Sequence, residues 1–102
     1  MSLKPGSRWK SAVDNVEIVV VRPANGDVTL GCGGHPMVPL GEDAPQGLAI
    51  DPAFATGTVM GKRYTDATSG VELLCVKGGE GTVSVDGRAT ELKDAKPLPA
   101  SD

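Results

Sequence analysis

The apolar residues of this chain gather in two short runs, residues 16–22 (VEIVVVR) and 71–77 (VELLCVK), both rich in branched side chains and bounded by turn formers. Neither is long enough for a helix and neither alternates strictly, so both read as strands buried on two faces. A turn follows each run, Pro23-Ala24-Asn25-Gly26 in the first and Gly78-Gly79-Glu80-Gly81 in the second, and then another short strand, residues 27–30 and 82–85. The pattern predicts a β-hairpin in each place, with Gly26 and Gly81 holding the positive φ of the tight connection. Residues 8–10 (RWK) and 63–65 (RYT) add a leading strand to each hairpin, giving two three-stranded units.

The two stretches are copies of one another. Residues 6–30 align without a gap on residues 61–85, an offset of 55, with eight identities that include Gly6/Gly61, Arg8/Arg63, Val16/Val71, Glu17/Glu72 and Val21/Val76. Ordinary composition gives roughly 2 identities over such a window. A three-stranded unit with one apolar face cannot bury itself alone, so the copies are expected to cover each other about an internal pseudo-twofold. The predicted fold is all-β in a single domain, residues 1–102. Repeat A spans 6–35, an ordered connecting loop 36–60, repeat B 61–88, and a flexible tail 93–102. The shared core is expected at Val16, Ile18, Val28, Val71, Leu73 and Val83, and the loop is expected to anchor through Leu40, Leu48, Ile50 and Phe54. Arg8 and Glu17 recur together as Arg63 and Glu72, which predicts an ion pair in each copy, each glutamate sitting at a strand edge.

Composition narrows the function. With 14 glycines, 8 prolines and three aromatic residues in 102, short strands and turns are favoured over helices. A net charge of −3 and the lack of any basic run interleaved with aromatics argue against nucleic-acid binding. No apolar run is long enough to span a bilayer, and residues 1–10 lack the apolar stretch of a secretory signal, so cytoplasmic residence is the expectation. Two cysteines make no disulfide framework; Cys75, inside VELLCVK, reads as a small core residue. One Trp, one Tyr and one Phe give little large apolar mass, and two three-stranded sheets leave open edges; both point to a homodimer.

Several positions of the first repeat carry a family pattern: Gly6, Trp9 and Lys10, the strand at 16–21, then Gly26, Leu30, Cys32, Gly33 and Met37. In these the chain resembles the small iron-binding desulforedoxin family, which also forms the N-terminal domain of desulfoferrodoxins. The resemblance covers about a third of the chain and implies a duplicated β scaffold. The family's metal positions fall on Ser11, Asp14, Gly31 and Cys32, and in the second copy on Asp66, Ser69, Asp86 and Gly87, so one thiolate of four remains in the first and none in the second. Family-type iron needs four sulfur donors. No cofactor and no catalytic set are therefore expected. The reading is a non-catalytic cytosolic binding or accessory module acting through a protein partner. The alternative is a small metal-binding or electron-transfer protein holding zinc or iron through Cys32, His35 and Asp14, because Cys-x-x-His supplies half of a zinc site.

Overall fold

The computed structural model describes residues 4–45 and 47–93. It is all-β, with no α-helix among the described residues. Six strands, β1 (Arg8–Lys10), β2 (Glu17–Arg22), β5 (Val38–Pro39), β6 (Arg63–Thr65), β7 (Glu72–Lys77) and β10 (Glu91–Leu92), form one antiparallel sheet in the order β10-β6-β7-β2-β1-β5. Four more, β3 (Leu30–Cys32), β4 (His35–Pro36), β8 (Val83–Val85) and β9 (Arg88–Ala89), form a second in the order β4-β3-β8-β9. One 3-10 turn, Pro52–Phe54, interrupts the long connection, capped by the Asp51 carboxylate on the Ala53 amide.

The predicted hairpins, residues 16–22 with 27–30 and 71–77 with 82–85, do not form. β2 pairs with β1 before it and with β7, whereas β3 pairs with β4 and β8 in the other sheet. Residues 23–29 and 78–82 are thus crossovers between sheets, and the strands after them start at Leu30 and Val83. Gly26 and Gly81 do not take positive φ. A crossover has no need of the two left-handed residues of a hairpin turn; that geometry appears at Cys32-Gly33-Gly34-His35, with φ of 64° and 87° at its glycines.

β2 and β7 bury their apolar residues mainly on one face, with Glu72 the buried exception on the other. Ile18, Val20, Leu73 and Cys75 are at most 1% exposed, while Val19, Leu74 and Val76 are half-buried and Val21 is 41% exposed. Extra residues at Val21 and Val76 break the alternation by bulging each strand, so the sequence hides its period of two. The inward residues meet Leu30, Cys32, Val83 and Val85 of the second sheet in one core, with Val16, Val71, Met37 and Tyr64 closing its ends. Val28 lies at the rim of this core, half-buried; the other five expected core positions are fully buried.

The sheets are also joined along both sides. Met37 alone separates β4 in one sheet from β5 in the other, and Thr90 alone separates β9 from β10. Their amides bond the Leu30 and Val83 carbonyls at 2.9 Å each. These bent strands, unforeseen in the sequence, close both sides, so the open edges that motivated a homodimer are largely absent. β5 also lies inside the segment expected to be a loop. That connection is ordered, with the Asp51 amide on the Gly33 carbonyl at 2.8 Å and the Thr82 amide on that of Phe54 at 2.8 Å, but Leu40 and Leu48 are exposed rather than anchoring. At the expected tail, Lys93 bonds the Arg63 carbonyl; residues 94–102 lie outside the described residues.

Of the two predicted ion pairs, Arg63–Glu72 forms at 3.2 Å. Glu17 instead takes Lys77 across β2–β7 at 3.4 Å, because the register sets Lys10, not Arg8, opposite it. Neither glutamate is at a sheet edge, since β2 and β7 are the two central strands.

Candidate functional site

β1 ends at Lys10 and the chain returns into β2 through a small polar loop. The Ser11 amide donates to the Val16 carbonyl at 2.8 Å, the Ser11 hydroxyl accepts the Val13 and Asp14 amides at 3.1 and 3.2 Å, and Asp14 Oδ1 accepts the Val16 amide at 3.2 Å. Short oxygen-bearing side chains are what such a loop requires, because they replace the partners that its turned backbone cannot supply. The loop before β7 does the same with serine and aspartate exchanged. The Asp66 amide bonds the Val71 carbonyl, the Asp66 carboxylate takes the Ser69 amide at 3.1 Å, and the Ser69 hydroxyl takes the Val71 amide at 3.4 Å.

The second oxygen of Asp14 reaches across to the crossover at 78–82 and accepts the Gly81 amide at 2.7 Å. This approach explains the glycines of the crossover better than backbone φ does. A Cβ on Gly79 would stand 2.6 Å from Asp14 Oδ2, and one on Gly81 would stand 2.8 Å from Cys32 Sγ. Cys32, fully buried on β3, directs its thiol at Asp14 Oδ1 over a long 3.9 Å and lies beside the Ser11 hydroxyl. Burial above all, with the nearby Asp14 and Cys75 adding to it, pushes this thiol from an ordinary 9.0 up to about 12, against the opposing Ser11 hydrogen bond. Burial raises Cys75 as well, and its thiol donates to the Lys77 carbonyl at 3.1 Å. Thiols held neutral in this way are poor nucleophiles.

The structure therefore unites two of the three candidate ligands. Asp14 and Cys32 are in contact, whereas the His35 ring is bonded through Nε2 to the Ala49 carbonyl at 2.9 Å. Among the described residues no group of three or more His, Cys, Asp or Glu side chains is placed to hold a metal ion. The counterpart loop is closed by a different device: Arg88 makes a two-point contact with the buried Asp66 carboxylate at 2.9 and 3.3 Å and draws its pKa below the usual carboxylate range. No local pattern marks this pair, whose members are 22 residues apart. The Asp14 loop, residues 10–15, and residues 43–45 with 47–48 flank an open groove of about 840 Å³ with a mostly polar lining.

No helix among the described residues is long and apolar enough to cross a membrane. Comparison of the chain with protein-family models, with curated proteins and with solved structures finds no match.

Proposed function

We propose that this chain is a non-catalytic, cytosolic binding or accessory module that acts through a protein partner, built from two desulforedoxin-like units duplicated within one chain about a pseudo-twofold. The duplication is supported by register. Val19 stands opposite Leu74, its own counterpart 55 residues on, at the centre of the larger sheet. Gly31 stands opposite Ser84, 53 residues on, at the centre of the smaller one. The offset falls by two because the crossover at 23–29 is two residues longer than that at 78–82. Bulges at Val21 and Val76 recur at the same spacing, as do the bonds from the Gly6 amide to Val20 and from the Gly61 amide to Cys75, 2.7 and 2.8 Å long. In this reading the pairing that small β units seek from a second chain is met inside one chain, and the module works as a monomer.

A single observation carries the non-catalytic reading: both Asp14 oxygens are taken up by hydrogen bonds, Oδ1 with the Val16 amide and, at 3.9 Å, the Cys32 thiol of the same repeat, and Oδ2 with the Gly81 amide, the bond that joins loop 11–16 to the crossover of the other repeat. Three of the positions that the family resemblance assigns to metal, Ser11, Asp14 and Cys32, do converge, but as a hydrogen-bonded latch. Metal analysis of protein purified without an affinity tag tests this. The proposal expects no stoichiometric metal. Zinc or iron at one equivalent, lost in Cys32→Ser, overturns it in favour of a metal-binding or electron-transfer protein.

A further inference from the structure

The outer face of the six-stranded sheet carries charge against the sign of the chain. Because Ile18, Val20, Leu73 and Cys75 point into the core, Val19 and Leu74 point out, joined by the bulged Val21 and Val76 in an apolar stripe along the two central strands. Arg8 lies opposite Val19 on β1 and Arg63 opposite Leu74 on β6, while Arg22 and Lys77 lie at the two ends of the stripe. Four apolar residues are thus framed by four cations, all of them exposed. Lys10 and Lys93 add two further positive charges to this face, answered by Glu17, Glu72 and Glu91, so it carries +3 where the chain as a whole carries −3. Two of the framing cations are engaged, Arg63 with Glu72 and Lys77 with Glu17; among the described residues Arg8 and Arg22 have no carboxylate partner within ion-pair distance.

From this arrangement we infer that the outer face of the six-stranded sheet docks an acidic protein segment whose carboxylates flank apolar side chains. This rests on the reading of the chain as a partner-binding module and names the surface and the chemistry of the partner. Apolar contact along Val19, Val21, Leu74 and Val76 supplies affinity, and the surrounding cations select for negative charge and steer approach. A second copy does not fit, because face-to-face pairing sets the two cation frames against each other. Single-stranded nucleic acid fits poorly, because Trp9 and Tyr64 pack against or within the core and offer no stacking platform on this face. Each element of the patch has its equivalent 55 residues away (Arg8/Arg63, Val19/Leu74, Val21/Val76, Arg22/Lys77), so a single segment can lie across it in either direction.

The test places a photo-crosslinking residue at Val21 or, on the other sheet, at the exposed Ala89, in the full chain expressed in its native cells. Cross-linked segments are identified by mass spectrometry. The inference expects adducts from Val21 to a protein segment rich in Asp and Glu, reduced at least tenfold by Arg8→Glu with Arg22→Glu. Among the described residues those substitutions break no ion pair; because Arg22 stands opposite Glu72 and helps to hold its charge, a circular-dichroism melt verifies folding. In vitro, a peptide alternating leucine with glutamate should shift the amide resonances of residues 19–22 and 74–77, and binding should weaken as salt rises. Adducts from Ala89 alone, adducts insensitive to the charge reversals, or a stronger response to oligo-dT or phosphatidylserine vesicles than to the peptide overturn the acidic-segment assignment while leaving a binding module in place. Absence of protein adducts from both positions overturns the module reading as well.

Discussion

Removing the Asp14 carboxylate tests the latch between loop 11–16 and the crossover at 78–82. Asp14→Ala takes the acceptor from the Gly81 amide at 2.7 Å and from the Val16 amide at 3.2 Å, and both residues are buried. A hydrogen bond to a charged group contributes about 1.5–3 kcal/mol, and an abandoned buried donor costs about 1–3 kcal/mol. Asp14 itself is half-buried, so water can reach part of the vacated space and reduce the loss. The expected destabilisation is about 2–3 kcal/mol, a large share of the roughly 5–15 kcal/mol that holds a domain of this size. Asp14→Asn keeps one carbonyl oxygen and should cost about half as much. Urea unfolding followed by the fluorescence of Trp9, the only tryptophan, measures both variants. With a slope near 1–1.5 kcal/mol per molar, the alanine midpoint should fall by about 2 M. Hydrogen exchange at the Gly81 amide supplies a local reading and should accelerate in both variants. A midpoint that stays in place, with Gly81 still protected, would refute the latch.

Other outcomes follow from the same structure. Ile18→Ala or Leu73→Ala each removes a side chain with no solvent exposure from the shared core and should cost about 2–5 kcal/mol by thermal or urea unfolding. Asp66 titrates below the unfolded carboxylate range because of Arg88, so its stabilisation is present above that range and is lost as pH falls through the depressed folded value; Asp66→Asn should flatten the acid limb of the stability curve. The Cys32 thiol, pushed up to about 12, should resist alkylation in the native protein at mildly alkaline pH and react freely in urea. Because the unfolded chain ionises this thiol first, stability should decline as pH rises through the ordinary thiol range toward about 12.

What was legible in the sequence was what depends on neighbours along the chain. The β1, β2, β6 and β7 segments stood out because branched apolar residues cluster there and because each pair recurs at a 55-residue offset. The partners of those strands were not legible. A crossover and a hairpin turn use the same Gly and Pro residues, and only the long-range pairing of β2 with β7 and β3 with β8 distinguishes them. The two-residue strands β4 and β5 escaped notice because Pro36 and Pro39 read as strand breakers, although at a bent margin a residue without an N–H is tolerated, and β9 and β10 because two residues carry no period. At the candidate site, Asp14 and Cys32 lie in contact, while the His35 bond to Ala49, the Asp66–Arg88 pair and the tight approach of Gly79 and Gly81 depend on tertiary contacts that no local pattern encodes.

We have proposed that two equivalent units close on each other within one chain. An isotope-filtered nuclear Overhauser experiment on a mixture of labelled and unlabelled protein tests it most directly, because it separates contacts inside a chain from contacts between chains. Cross-strand contacts are expected between Val19 and Leu74 and between Gly31 and Ser84, all of them intramolecular, in a particle of 10.4 kDa. Contacts at those pairs that appear only between labelled and unlabelled chains, or pairs in a register that does not set each residue against its counterpart, would contradict it.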